Sequence, residues 1–227
     1  MSFFENTRKP VGLGGKIMVA MMNVGHSAVA RWGLQFLNAA PDAKVLDCGC
    51  GGGANMKRLL KKCPQGIVKG IDYSPVSVEK ARSLNQTAIQ EGRCVVWQGS
   101  VEQIIFAKDW FDAVTAFETV YFWPDLPQCF REVYRVLKPG GKVVILEFST
   151  PRNPLFRRVY GLYSHRLLPA IGGMISKDRK AYEYLPASVD EFPAPECFMA
   201  MMREAGFKDC RARSQSLGIA QIYTGEK

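Results

Sequence analysis

The chain has 227 residues, of which 47% are hydrophobic and 22% are charged, and its formal net charge is +9. This length suits one domain with a sizeable core, and the composition is ordinary for a globular protein, which excludes a disordered or low-complexity chain. The positive charge allows an anionic partner such as nucleic acid, a membrane surface or an acidic substrate, but a solvated basic surface explains it equally well.

The cysteine pattern and the absence of long apolar runs narrow the class of protein further. The seven cysteines form no C-x-x-C pair, and only two histidines accompany them. This pattern predicts reduced thiols and supports neither a disulfide framework nor a metal site. The N-terminal segment lacks the apolar core of a signal peptide, and no apolar run reaches the roughly 18 residues that a bilayer span requires. We therefore expect a soluble, cytoplasmic protein.

Residues 1–40 precede the first predicted strand, and we expect them to form a helical cap or lid. Pro10 and several glycines break the first part, whereas Lys16–Asn38 has the spacing of one or two amphipathic helices rich in methionine. These methionines pack a core or line a plastic hydrophobic pocket, and the pattern leaves both open.

Residues 41–227 have the pattern of one domain in which strands and helices alternate. Strands are predicted around Val45 and Leu46 and over Ile67–Asp72, Arg93–Gln98, Phe111–Phe117 and Lys142–Phe148. Helices are predicted over Val76–Gln90, Leu126–Leu137 and Pro195–Ala205, two more within an insertion at residues 151–193, and a closing hairpin over Arg211–Ser216 and Ile219–Thr224. This alternation indicates an α/β fold with a mostly parallel sheet and right-handed crossovers.

A glycine-rich turn follows the first predicted strand, in the segment KVLDCGCGGGANMKRL that starts at Lys44. Strand, glycine turn and helix open a βαβ unit, and such turns lie at the carboxyl end of the sheet, where ligands bind. A bare connection needs one glycine, whereas this one contains four, which favours a ligand that approaches the backbone closely.

Two classes of ligand fit this turn. Gly49, Gly51 and Ala54 match the G-x-G-x-x-G/A pattern of dinucleotide-binding proteins, and Asp72 follows about 20 residues later, as that fingerprint requires. Asp47 favours a different ligand, because a carboxylate at the end of the strand suits an ammonium group better than a pyrophosphate. The second ligand is therefore one that carries an amino group.

The motif D-x-G-x-G-x-G, together with IDYS, FDAVTAFETVYFW and REVYRVLKPGGKVVILEF, resembles the class I S-adenosylmethionine-dependent methyltransferases over Lys44–Phe148. The resemblance implies a Rossmann-like fold with a seven-stranded sheet, its last strand antiparallel, and helices on both faces. It implies S-adenosylmethionine as the cofactor. Asp47 is then expected near its ammonium group, Asp72 at its ribose, and Tyr73, Ser100 and Val101 at its adenine. The other implied cofactor residues are Gly49, Gly51, Gly52 and Phe117. Many family members carry an aspartate where this chain has Ser100.

The C-terminal part resembles the ubiquinone/menaquinone biosynthesis C-methyltransferases, and their demethylmenaquinone branch most. The residues that carry this likeness are NPLFRRVYGLYSHRLLP, PECFMAMMREAGF and GIAQIYTGEK. It implies methylation of a ring carbon of a prenylated hydroquinone such as demethylmenaquinol. The family's arginine in the fourth motif, which is thought to help deprotonate the quinol, falls at Tyr121 here.

Ring methylation needs no metal, but it needs a base or a cation near the phenolic oxygen, because the ring carbon becomes nucleophilic when that oxygen loses its proton. The candidates are Tyr121 and His165, followed by Glu118 and Arg166, although His165 also fits a surface histidine among basic neighbours. Arginines beside apolar residues in the insertion suit peripheral contact with an anionic membrane at its inner face.

Three other functions compete with this interpretation, and the oligomeric state is left open. One is methyl transfer to another small molecule, and a second is a dinucleotide-binding oxidoreductase built on the same glycine turn. RNA methylation is the third, motivated by the charge of +9. No nucleic-acid partner is expected, because the chain lacks an appended basic module and the N/D-P-P-Y/F motif of methyltransferases that act on base amino groups.

Overall fold

The computed structural model of the chain describes residues 27–151, 153, 158 and 192–227. Seven strands form a single sheet: β1 Lys44–Cys48, β2 Ile67–Asp72, β3 Cys94–Gln98, β4 Phe111–Phe117, β5 Leu137–Phe148, β6 Lys208–Gln215 and β7 Ala220–Glu226. The α-helices of the described part are α1 Ser27–Gly33, α2 Ala54–Lys62, α3 Pro75–Leu84, α4 Gln86–Gln90, α5 Leu126–Val136 and α6 Pro195–Glu204.

The strand order is β3-β2-β1-β4-β5-β7-β6, and neighbours from β3 to β5 are parallel. β7 pairs antiparallel with both β5 and β6, so it alone of the described strands runs opposite to the others. The predicted α/β fold with a seven-stranded sheet and an antiparallel last strand is confirmed.

Helices cover both faces because the central strands are apolar on both sides, as parallel strands must be when they are buried. Along β1, Val45 faces one layer and Leu46 the other, since successive strand residues point to opposite faces. The first layer packs α2 and α3 through residues such as Leu59. The second packs α5 and α6, where Phe130 and Phe198 meet edge to face with ring centroids 5.3 Å apart.

The predicted helix over Val76–Gln90 is two helices. Its start is confirmed, because the Ser74 side chain accepts a hydrogen bond from the backbone of Ser77 and Pro75 occupies the first turn. The break falls at Asn85, whose side chain donates to the carbonyl oxygens of Gly53 (3.1 Å) and Ala81 (2.9 Å). A contact with the glycine turn therefore ends α3, which periodicity does not reveal.

Other boundaries differ by a few residues. β5 begins at Leu137, not Lys142, because Leu137 pairs with Phe111 before a bulge lets Lys142 pair with Ala113. β6 begins at Lys208 and β7 ends at Glu226, so the closing hairpin is longer than predicted at its open end.

The predicted cap and insertion lie largely outside the described residues. Of residues 1–40, the structure describes α1 and a 3₁₀ helix over Leu34–Phe36. The division into a cap at 1–40, a methyltransferase domain at 41–227 and an insertion at 151–193 stays a prediction. No helix in the described ranges is long and apolar enough to cross a membrane.

Candidate active site

The carboxyl ends of β1, β2, β3 and β4 meet at one edge of the sheet, where the strand order reverses between β1 and β4. Ligands of open α/β sheets bind at such a switch point. Asp47, Asp72 and Phe117 lie at or next to the ends of β1, β2 and β4, and Ser100 lies two residues beyond β3. Parallel topology therefore brings residues from four separate motifs together.

The turn after β1 adopts backbone conformations that require glycine. Gly49 has φ +67° and donates its N–H to the carbonyl oxygen of Ile71 at 2.8 Å. A Cβ at this position would lie 1.9 Å from the hydroxyl oxygen of Thr119, so no side chain fits. Gly51 has φ +51°, but a Cβ there would meet no atom within 4 Å. The first glycine is required by packing, whereas the second borders open space.

Asp72 holds this turn in place. Its side chain is 7% exposed, and its two oxygens accept hydrogen bonds from the backbone N–H groups of Gly51 (2.8 Å) and Ser74 (2.9 Å). Burial raises the pKa of Asp72 above its ordinary value, although both hydrogen bonds favour the charged form. One carboxylate thus joins the end of β2 to the glycine turn and to the start of α3.

Asp47 is almost fully buried beneath the turn. Its Oδ1 accepts hydrogen bonds from the hydroxyl of Thr115 (2.6 Å) and the side-chain amide of Asn55 (2.9 Å). Its Oδ2, and the Oδ1 of Asn55, are buried and have no hydrogen-bond partner among the described residues. Burial outweighs the two hydrogen bonds and raises the pKa of Asp47 to about 6. Each of the two unpartnered oxygens can therefore accept a hydrogen bond from a donor group.

A cavity of about 240 Å³ opens beside these residues. Its walls come from the turn after β1, from the ends of β2 and β3 and the residues that follow them, and from the loop after β4: Gly49, Ile71, Asp72, Tyr73, Gly99, Ser100, Val101, Glu102, Thr119, Phe122, Trp123 and Pro124. Five of the predicted cofactor residues line it, namely Gly49, Asp72, Tyr73, Ser100 and Val101. Sequence reasoning missed Glu102, Thr119 and the aromatic residues Phe122 and Trp123. The run VYFWP, which begins three residues after the end of β4, was the available signal for the two aromatic residues.

Other predicted site residues lie around the cavity and not in its walls. Asp47 and Gly52, the latter within the turn itself, are buried. Phe117 packs against α1, because a Cβ on Gly33 would lie 2.9 Å from its ring. Tyr121 belongs to a 3₁₀ helix over Val120–Phe122 and meets Phe122 edge to face with centroids 4.5 Å apart. His165 lies outside the described residues, so its predicted role and that of Tyr121 stay predictions.

A buried glutamate that the sequence did not single out supports the loop after β4. Glu147 of β5 is fully buried, and its Oε1 accepts hydrogen bonds from the backbone N–H groups of Thr119 (2.8 Å) and Val120 (2.7 Å). Burial raises the pKa of Glu147 well above its usual range. Glu118, which precedes Thr119 in this loop, has φ +57°, a strained conformation for a side chain of this size. Glu147 therefore fixes Thr119 against Gly49.

The strand order, the reversed β7 and a ligand site built on the β1 turn define a Rossmann-like class I methyltransferase. The chain belongs to the ubiE/COQ5 methyltransferase family, whose model matches residues 16–227. It is thus an S-adenosylmethionine-dependent methyltransferase, and the dinucleotide-binding oxidoreductase considered above is set aside.

Two curated relatives and one solved structure illustrate this placement. The chain is 41% identical over 198 residues to the ubiquinone/menaquinone biosynthesis C-methyltransferase UbiE of Geotalea daltonii, covering 87% of this chain and 84% of that protein. It is 37% identical to the demethylmenaquinone methyltransferase of Thermus thermophilus, covering 84% and 85% of the two chains. A methyltransferase complex of Haloferax volcanii with the Trm112 activator shares the fold, with a TM-score of 0.71 at 18% identity and 93% of each chain covered.

The two glycines should respond differently to alanine. Gly49→Ala forces a Cβ against Thr119 in a left-handed backbone, so we expect a loss of roughly 3 kcal/mol or more in the free energy of unfolding. Gly51→Ala meets open space, and we expect only the strain of the left-handed conformation, about 1–2 kcal/mol. Urea unfolding of both variants measures the difference, and equal losses would contradict the assigned packing.

The stability of the protein should depend on pH through Asp47. Its pKa is higher in the folded protein than in the unfolded chain, so the folded state binds the proton more tightly and its stability falls as pH rises towards and through 6. Asp47→Asn removes this ionisation, and we expect the variant to gain about 2–3 kcal/mol over the wild type at pH 8 and less at pH 4.5.

Urea unfolding at the two pH values tests this prediction. The exposed Asp42→Asn, which changes a carboxylate just before β1, is the matched control. A gain for Asp47→Asn of the same size at both pH values, or a loss at pH 8, would show that the buried carboxylate does not carry this cost.

Proposed function

We propose that the enzyme holds S-adenosylmethionine across the β1 turn and the cavity beside it, and methylates a ring carbon of a prenylated hydroquinone such as demethylmenaquinol. The observation that carries the cofactor assignment is two unpartnered acceptors, Asp47 Oδ2 and Asn55 Oδ1. Both atoms are buried without a hydrogen-bond partner in the described part of the chain, and a buried polar atom of this kind normally has one. The ammonium group of the cofactor supplies three donors.

The remaining parts of the site fit the same molecule. Gly51 borders space that a Cβ would enter, so a ligand can approach the backbone there. Each oxygen of Asp72 accepts one backbone hydrogen bond and retains a lone pair, which leaves the carboxylate able to accept from ribose hydroxyls. Tyr73, Ser100 and Val101 continue the cavity beyond Asp72 and are the proposed adenine side. Gly52 in the turn and Phe117 at the end of β4 are the remaining proposed cofactor residues, although neither lines the cavity.

The substrate proposal rests on the relatives. The proteins of Geotalea daltonii and Thermus thermophilus are named for ubiquinone/menaquinone biosynthesis and for demethylmenaquinone, and the alignments cover more than four fifths of each. The aromatic loop after β4 supports a planar acceptor, because Phe122 and Trp123 present rings beside the cofactor site. A prenyl tail on the substrate favours contact between the enzyme and a membrane. The net charge of +9 suits an anionic membrane surface.

The chain contributes positioning and a proton acceptor to this reaction. The bound sulfonium supplies an electrophilic methyl group, so catalysis consists mainly of holding donor and acceptor in line. A fixed loop after β4 serves this purpose, because Glu147 holds its backbone and Thr119 abuts the glycine turn. Tyr121 on that loop and His165 in the insertion are the proposed groups that assist loss of the phenolic proton.

Methyl transfer to another class of small molecule is the rival proposal. The observation that favours it is Tyr121, an aromatic residue where the resemblance implies an arginine. A tyrosine is neutral at pH 7 and does not stabilise a phenolate as an arginine does. An acceptor that is more acidic or more nucleophilic than a quinol would need less help from this position.

The test is transfer of a labelled methyl group from S-adenosylmethionine to demethylmenaquinol in detergent micelles. We expect label in the quinone ring and none in RNA. Gly51→Ala should stay folded and lose at least tenfold in kcat/KM, because its Cβ occupies the space proposed for the cofactor. Label that appears in a catechol or another small phenol, with none in demethylmenaquinol, would establish the rival function instead.

A further inference from the structure

The tip of the β6–β7 hairpin holds an exposed leucine in a strained conformation. Leu217 is 71% exposed, the largest fraction among the large apolar side chains that the structure describes. Its backbone has φ +57° and ψ +24°, the left-handed region that residues with a bulky side chain rarely adopt. Because most of the side chain lies in solvent, little burial offsets this strain. Glycine or asparagine would adopt the same backbone more easily.

The hairpin tip lies at the same edge of the sheet as the candidate active site. Phe148, the last residue of β5, pairs with Ala220 at the start of β7, so the tip extends beyond the carboxyl end of β5. Ser149 fixes it there, because the Ser149 hydroxyl donates to the carbonyl oxygen of Gly218 at 2.6 Å. Ligands of open α/β sheets bind at this edge. The fold therefore presents the exposed leucine on a fixed support beside the ligand edge.

Two arginines lie below the tip on β6, an outer strand of the sheet. Arg211 and Arg213 are exposed, and at about 3.3 Å per residue they lie roughly 13 and 7 Å before the end of the strand. Neither forms a salt bridge with another residue of the described ranges. From Arg211 to Gly225 the sequence contains no aspartate, glutamate or lysine. The charge of this part of the hairpin is therefore entirely positive.

We propose that the β6–β7 tip is a membrane-docking surface, which inserts Leu217 into an anionic bilayer and places Arg211 and Arg213 against lipid phosphate groups. This inference rests on the proposed function, because the prenyl tail holds the proposed acceptor in a bilayer. An apolar residue with arginines behind it suits the boundary between acyl chains and headgroups, where peripheral segments are buried about 5–10 Å deep. The edge that carries the cofactor site then faces the lipid that contains the acceptor.

Two other uses of this surface explain fewer of its features. Charged residues on an outer strand prevent it from pairing with another sheet, but that role does not require a strained leucine at the tip. A second copy of this chain would bring like charges together across a symmetric contact. One exposed leucine also provides far less than the area of about 800 Å² that each partner of a stable interface buries. An anionic bilayer attracts both arginines and needs no complementary shape.

Flotation with vesicles made of equal parts phosphatidylcholine and phosphatidylglycerol tests the proposal. Leu217→Asn removes the apolar group and suits the left-handed backbone, so we expect vesicle binding to fall about tenfold. The variant should unfold at an equal or higher urea concentration than the wild type. Val95→Asn is the matched control, because Val95 is 40% exposed on β3, the outer strand at the opposite end of the sheet. We expect wild-type vesicle binding from this control.

The arginines are tested by changing the charge of the protein and of the vesicle. Arg211→Gln and Arg213→Gln each remove one cation, and each should weaken binding to the mixed vesicles about fivefold. Binding to vesicles of phosphatidylcholine alone should be the same as for the wild type. Arg131→Gln, which removes the same charge from an exposed position of α5, is the control and should leave binding unchanged.

The outcomes separate this inference from the proposed function, which methyl transfer to demethylmenaquinol in micelles measures. A wild type that does not float, or Leu217→Asn that floats as well as the wild type, overturns the docking surface and leaves the proposed function standing. Equal losses from Leu217→Asn and Val95→Asn reveal a general effect of apolar exposure and also overturn it. If Leu217→Asn alone loses binding but the wild type methylates no demethylmenaquinol, the docking surface stands and the proposed substrate fails.

Discussion

The site depends on one buried carboxylate that accepts two backbone hydrogen bonds. Asp72 ends β2, and its oxygens hold Gly51 of the β1 turn and Ser74 at the start of α3. Without this contact the turn would have to find other partners for its N–H groups inside the protein, where an unpaired donor costs about 1–3 kcal/mol. The same carboxylate lines the cavity. It therefore supports the fold and borders the candidate cofactor site at once.

Around Asp72, two more buried carboxylates fix the other sides of the site. Asp47 lies under the turn with Thr115 and Asn55, and Glu147 holds the loop that carries Thr119. Burial raises the pKa of all three carboxyl groups, which means that each costs stability when it is ionised. The protein thus gives up stability at neutral pH to keep three buried carboxyl groups around the candidate site.

Much of this architecture follows from the sequence because local and global signals agree. The turn at Asp47–Gly53 and the acid at Asp72 predict both the βαβ unit and its ligand edge, and parallel topology then brings the motifs together. The hydrophobic periodicity of the sequence does not predict contacts between distant segments. Asn85 ends α3 because it reaches the carbonyl of Gly53, and a pattern of apolar residues carries no information on that hydrogen bond.

The residues of the candidate site likewise divide into those that the sequence predicts and those that it does not. The glycines of the turn can be recognised from a motif, whereas the role of Glu147 becomes apparent only from the loop that it contacts. Glu147 lies within an apolar strand, where a single polar residue has many possible roles, and its role depends on the loop after β4. Phe117 packs against Gly33 and is not among the residues that line the cavity, so its predicted role at the cofactor stays a prediction.

The most direct test of this account is isothermal titration of S-adenosylmethionine into the purified wild type and into Asp72→Ala. We predict binding by the wild type and a loss of at least a hundredfold in the variant, because the substitution removes the ribose acceptor and the support of the turn together. A folded Asp72→Ala that binds with wild-type affinity would contradict the central role of this carboxylate.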